Sequence, residues 1–213
     1  MTNLREELSK VERPVPILSR ERAAEFTQRQ REVLDGLQTL FEGGFAHLTM
    51  ASIAAEMSCS LRLLYQIAPS RDELVEIVVD RNLWAVGRTA TATVTDSDDP
   101  IRALRTYLQA ATEAVRRTTP EFAGDIRKVP GALKLNQAHE RYLIDMTTCL
   151  LEVAVKDGVV GDIDTTAVAR VLAGLGGLFA SVDEISSIRS TPKDAADRIA
   201  DLIIAGLLAD RSR

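Results

Sequence analysis

Apolar positions recur at helical spacing along most of this chain. Val33, Leu34, Leu37, Leu40 and Phe41 form one such stripe. Thr27 and Gln30 can form a capping box at its start, although the helix could begin as early as Ser19, and Gly43-Gly44 can stop it. Thr49 can cap a short helix to Met57, and Ser60 can cap the next one. Ser70 with Glu73 makes a box for a long helix to about Ala92. Asp99-Pro100, Thr119-Pro120 and Thr191-Pro192 each put a side-chain oxygen at the N-cap and proline at the first helical position, where a missing N–H costs nothing. A further long helix is expected from Gly131 to about Asp157, ended by Gly158, and another from Asp164 to about Ile188. Residues 1–18, with Pro14 and Pro16, read as an arm or short helix followed by an extended linker. About nine helices follow, with no convincing alternating strand and no solenoid period. The fold class is all-α.

Composition agrees with this reading and narrows it. Of 213 residues, 46% are hydrophobic and 27% charged, as in an ordinary globular protein, and aromatics are only 4%, which favours helices over sheet. Cys59 and Cys149 lie far apart without CxxC spacing and are expected to be reduced and buried. The N-terminus carries no apolar signal region. The most apolar run, Ala167 to Val182, contains Arg170 and is shorter than the roughly 20 residues of a membrane span. A cytoplasmic protein with no membrane partner is expected. The net charge of −5 is uneven: residues 1–71 hold nine Lys/Arg and nine Asp/Glu, so the acidic excess belongs to the rest.

The most informative stretch is TMASIAAEMSCSLRLLYQIAPSRDEL, residues 49–74. Ile53 and Met57 lie on one side of the first short helix, and Ala54 and Ala55 let another helix approach closely. Ser58-Cys59-Ser60 makes a tight turn. In the second helix Leu64, Ile67 and Ala68 share one face, and Leu61, Arg62, Tyr65 and Gln66 share the other. Arg can pair with guanine, Gln with adenine, and an apolar side chain can pack on a thymine methyl. Thr49 and Ser60 lie where helix N-termini meet phosphates. The pattern fits a helix-turn-helix that reads DNA, and it fits a plain helical corner as well.

The segment VLDGLQTLFEGGFAHLTMASIAAEMSCSLRLLYQIAPSRDELVEIVV resembles the N-terminal DNA-binding region of the tetracycline-repressor (TetR) family of transcriptional regulators. The matching landmarks are Leu40, Phe41, Gly44 and Phe45, then Thr49 to Ala55, Ser60, Leu64-Tyr65, and Pro69 to Leu74. The resemblance implies that Thr49 and Tyr65 touch DNA phosphates, that Arg71 stands for a lysine that often does so, and that Ser60, Leu61, Arg62 and Gln66 face the bases. This chain departs from the family at Ser58, where glycine is frequent, and at Arg62, where a small residue is usual. It departs again at Ile67-Ala68, which replaces an aromatic pair. A missing ring at Ala68 would cost several kcal/mol unless neighbours filled the space. The implied layout is an arm (1–18), a helix-turn-helix domain (19–70), and a ligand-binding and dimerisation domain (71–213).

The implied function is a ligand-responsive DNA-binding regulator, by family habit a repressor, that binds a palindromic double-stranded operator as a homodimer. The alternative is a helical ligand-binding or scaffold protein of the same fold without sequence-specific DNA binding. Small residues among large ones in the last two helices fit a dimer interface. These are Leu172, Leu175, Phe179 and Val182 with Ala169, Ala173, Gly176, Gly177 and Ala180, then Ile199, Leu202, Ile203 and Gly206. Trp84, Tyr107, Phe122, Tyr142 and Met146 are candidates to line a pocket for an unidentified small-molecule effector, with Asn136, Gln137 and His139 as polar contacts. Neither His47 nor His139 lies in a metal motif, and no nucleophile elbow or glycine-rich phosphate loop occurs. No enzyme activity, cofactor or metal is expected, and the Arg13, Arg20 and Arg22 of the arm read as solvated charge.

Overall fold

Cap chemistry sets most of the helix boundaries in the computed structural model, which describes residues 2–94, 98–117, 119–179 and 189–210. Eleven helices occur among these residues: α1 (Leu4–Ser9), α2 (Arg20–Glu25), α3 (Gln28–Glu42), α4 (Met50–Glu56), α5 (Leu61–Ile67), α6 (Arg71–Val94), α7 (Pro100–Arg117), α8 (Pro120–Ile126), α9 (Pro130–Lys156), α10 (Thr165–Leu178) and α11 (Pro192–Asp210). The side chains of Thr27, Thr49, Ser60, Thr119 and Asp164 each accept a backbone N–H of the first turn.

The count exceeds nine because two short helices were folded into other expectations. Leu4–Ser9 is a capped helix within the expected arm. Ser19 does begin a helix, but it ends at Phe26, whose backbone is extended, and Thr27 then starts α3 afresh. At the other end, α10 closes at Leu178 with Phe179 as C-cap; the rest of the helix expected to Ile188 falls on residues 180–188, outside the described residues. Both cysteines are free and half-buried rather than fully enclosed.

The chain divides into two units. One comprises Val15–Ala85 and Thr118–Ala138 and contains the helix-turn-helix, so it extends beyond residues 19–70. Val33, Leu34, Leu37 and Phe41 from α3, Ile53 from α4 and Leu64 and Ile67 from α5 are fully buried in its core. Ala68 is fully buried there too, and the following Pro69 favours the extended backbone with which it ends α5. The other unit comprises Met1–Pro14, Val86–Arg117 and His139–Arg213, with Leu104, Met146, Leu150, Leu151 and Leu172 at its centre.

The expected arm is therefore shared out. Leu4 and Leu8 of α1 are buried in the second unit, where Thr2 donates from its backbone N–H and its hydroxyl to the Asp157 carboxylate at 2.9 and 2.7 Å. Residues after Pro14 belong with the helix-turn-helix.

Candidate nucleic-acid interface and effector unit

The turn between α4 and α5 is made by a non-glycine residue in the left-handed region: Ser58 has φ +46°. Glycine would adopt this without cost, so the serine is held by its surroundings. Arg29 of α3 supplies part of that hold, donating from Nη2 to the carbonyls of Met57 and Ser58 at 3.2 and 3.1 Å.

Beyond the turn, Ser60 caps α5 and the helix divides as its periodicity predicts. Leu64 and Ile67 face the core. Arg62 and Gln66 are exposed, Leu61 is 42% and Tyr65 54% exposed, and Thr49 and Ser60 are exposed at the two N-caps. Six of the seven residues assigned to DNA therefore stand at solvent-facing positions on α4 and α5. Arg62 forms no hydrogen bond or ion pair with the described residues, so its guanidinium is available.

Arg71 is placed differently. Its Nε donates to the Leu48 carbonyl at 2.6 Å and its Nη2 to the Phe45 carbonyl at 2.5 Å, while Nη1 pairs with Asp72 at 2.8 Å. All three nitrogens are engaged within the chain, so Arg71 fastens the turn that leads into α4. Arg22 plays a similar part at the far end of α5, donating to the Ile67 carbonyl at 3.3 Å. It is not simply solvated charge. Helix ends leave carbonyls unpaired, and Arg29 and Arg22 satisfy some of those at the ends of α4 and α5.

Arg29, Arg22 and Asp125 were not among the candidates. Asp125, on α8, accepts the backbone N–H groups of Phe45 and Ala46, both at 2.7 Å, and pairs with Lys128 at 2.7 Å. Burial alone would raise its pKa; the hydrogen bonds from Lys128, Ala46 and Phe45 outweigh this and lower it below the ordinary aspartate value.

The five candidate pocket residues are divided between the two units. Tyr107, Tyr142 and Met146 are buried together in the core of the unit that holds α7, α10 and α11. Burial, with a smaller contribution from Tyr142, raises the Tyr107 phenol well above its usual range. Phe122 belongs instead to the helix-turn-helix unit, its ring edge-on to Phe45 with centroids 5.6 Å apart. Trp84 and Asn136 are half-buried and Gln137 is exposed, all in that same unit, and the half-buried His139 begins the last segment of the other.

In α10 and α11 the apolar residues split between two faces. Leu172 and Leu175 point into their own unit's core. Val171, Leu178 and Leu202 point outward, 55%, 53% and 72% exposed. A Cβ added at Gly174, Gly177 or Gly206 would meet nothing within 4 Å. Of the expected interface positions, Leu202, Gly177 and Gly206 lie on the outward face and Leu172 and Leu175 on the inward one, while Ala180 and Val182 lie outside the described residues.

No family profile matches the sequence, and no curated protein matches it. Solved structures do match. A TetR transcription regulator from Haloarcula marismortui superposes with a TM-score of 0.72 at 16% identity, over 85% of this chain and 99% of that one. The fold is that of the TetR-family regulators. PfmR, a TetR-family regulator from Thermus thermophilus, matches at 0.63 and 19% identity over 82% and 98% of the two chains. AibR, solved in complex with isovaleryl coenzyme A and operator DNA, matches at 0.64 and 18% identity over 82% and 97%. Among the described residues no helix is long and apolar enough to cross a membrane.

Proposed function

We propose that the protein is a ligand-responsive transcriptional regulator that reads DNA with α5. The carrying observation is the outward face of that helix: exposed Leu61, Arg62, Tyr65 and Gln66 beside the Ser60 cap, on a helix whose other face is locked into a core. Thr49 and Tyr65 touch phosphates, and Arg62 and Gln66 read base edges in the major groove. Arg71 and Arg29 act behind them by fixing the turns that aim the helix.

One recognition helix reads few base pairs, so the protein acts as a homodimer on a palindromic operator. The exposed Val171, Leu178 and Leu202 with the open glycines of α10 and α11 support dimerisation through that pair, because a second copy's helices could approach there closely. The effector enters among Tyr107, Tyr142 and Met146. The solved complex of AibR with a ligand and operator DNA supports a protein of this fold serving both ends. Ligand binding biases the dimer away from the DNA-competent state, giving repression relieved by effector.

A second reading, a ligand-binding protein of this fold without sequence-specific DNA binding, is favoured by one observation: Arg22, Arg29 and Arg71 spend their guanidinium groups on backbone carbonyls. Selection from random duplex DNA, followed by fluorescence anisotropy across salt concentrations, separates the two. An enriched palindrome bound less tightly as salt rises supports the regulator. No enrichment from a folded dimer supports the second reading.

A further inference from the structure

The turn that leads into the helix-turn-helix is held by a carboxylate from far along the chain, and we infer that Asp125 is a positioning residue for DNA reading. The inference rests on the DNA-reading proposal above and names a residue outside the segment that proposal uses.

Asp125 belongs to Thr118–Ala138, a segment that joins the unit of Val15–Ala85. The residue is 6% exposed, and its carboxylate takes two backbone N–H groups, from Phe45 and Ala46, each at 2.7 Å. Such bonds to an ionised acceptor are short and directional. The surrounding contacts converge on the same few residues. The Thr119 hydroxyl donates to the Glu42 carbonyl, and the Phe122 ring packs on Phe45. At Gly44, φ is +88°, a conformation that favours glycine, and an added Cβ would stand a tight 3.1 Å from Asp125 Oδ2.

The opposite side of the turn is fixed by opposite charge. Phe45 gives its N–H to Asp125 and its carbonyl to Arg71, which also takes the Leu48 carbonyl next to the Thr49 cap. Apolar packing beneath Phe45 is non-directional and would allow the turn to rotate on the core. Two charged anchors on one residue leave little such freedom. They set where α4 begins, and α4 carries α5. Asp125 therefore fixes the approach of Arg62 and Gln66 to the groove without touching DNA.

The test compares Asp125→Asn with Ile126→Ala, an apolar truncation one residue along the same helix in the same core. Both N–H groups donate to one oxygen, Oδ2, and Lys128 pairs with the other. Asp125→Asn therefore keeps the size and one acceptor oxygen but removes the charge that strengthens both bonds and the Lys128 pair. Both variants are measured in the full chain, well below their melting temperatures, on the selected duplex and on a scrambled one. Hydrogen exchange at residues 42–48 is followed in parallel. Expected is faster exchange at Phe45 and Ala46 in Asp125→Asn, with about tenfold or greater loss of affinity for the selected duplex and a smaller loss for the scrambled one. Ile126→Ala should keep its preference for the selected duplex. An Asp125→Asn protein that is folded and binds like wild type, or both variants losing preference equally, overturns the inference while leaving DNA reading intact. Wild-type protein that selects no duplex overturns the DNA-reading proposal itself, and the inference with it.

Discussion

The guanidinium of Arg71 bridges two carbonyls of one turn, that of Phe45 at 2.5 Å and that of Leu48 at 2.6 Å. A cation expected at a phosphate thus closes the loop before the helix-turn-helix. Its side chain is 25% exposed. Arg71→Ala should leave both carbonyls without this partner and cost about 1.5–3 kcal/mol in urea unfolding. Arg71→Lys should recover little, because an ammonium lacks the planar fork that spans two acceptors. Wild-type stability in the alanine variant would show that water replaces the bridge at no cost.

Arg62 and Gln66 should behave oppositely. Both are exposed, and Arg62 makes no hydrogen bond or ion pair among the described residues, so Arg62→Ala and Gln66→Ala should alter stability by no more than about 0.5 kcal/mol. Each should remove roughly 1–3 kcal/mol of discrimination between the selected duplex and one mutated at the contacted base pair. Tyr65→Phe, by removing the hydroxyl proposed to meet a phosphate, should weaken binding to all duplexes alike. Anisotropy on matched and mismatched duplexes measures both effects. Equal losses on every duplex for Arg62 and Gln66 would contradict their base-reading roles.

Much of the fold was legible because its signals are local. Thr49 and Ser60 cap helices through N–H groups three residues on, and the apolar period of α5 sorts Leu64 and Ile67 from Tyr65 and Gln66. The supports of the site were not legible, because their partners are distant and no spacing rule predicts them. Arg29 meets Ser58 across 29 residues, Arg22 meets Ile67 across 45, and Asp125 meets Phe45 across 80. Phe122 illustrates the same limit. Its segment folds with the helix-turn-helix unit and its ring packs on Phe45, a long-range pairing that no local spacing announces.

Two carboxylates should pull the stability profile in opposite directions with pH. Asp125 has a lowered pKa, so its contribution is present at neutral pH and is lost as pH falls below the ordinary aspartate value through the lowered one. Glu76 has a raised pKa, chiefly from burial and then from the charges of Glu73 and Asp72. Its ionised form is disfavoured in the folded state, so it favours folding only at low pH and loses that benefit as pH rises through its raised value. Glu76→Gln should therefore raise the melting temperature at pH 7.5, with the gain shrinking towards pH 4. Asp125→Asn should lower it at pH 7.5 by an amount that holds through mild acidification and shrinks only as pH falls below the ordinary aspartate value. Thermal melts of both variants, carried below the ordinary aspartate value, provide the check, and an Asp125→Asn loss that already shrinks above that value would refute its assignment.

The N-terminal helix should matter to its unit's stability. Leu8 of α1 is buried in the core that contains Tyr107 and Met146. Leu8→Ala should cost about 2–4 kcal/mol, as expected for a buried leucine. Exposed Arg13→Ala should be neutral in unfolding. A Leu8→Ala protein as stable as wild type would mean that α1 is not held in that core in solution.

Leu202 offers the sharpest test of the dimer. At 72% exposure it contributes little to its own unit's core, and the nearby Gly206 would accept a Cβ without collision. Interior helix glycine costs about 1 kcal/mol relative to alanine, so a helix facing only water has reason to replace it. If α10 and α11 pack against a second copy, Leu202→Glu buries an unpaired charge on each side of the two-fold axis and should give monomers at micromolar concentration in analytical ultracentrifugation. Far-UV circular dichroism of the monomer should remain helical. Because each protomer then reads one half-site, affinity for the palindrome should fall to that of a single half-site. If Leu202→Glu remained dimeric with full affinity, the interface would lie on another face of the molecule.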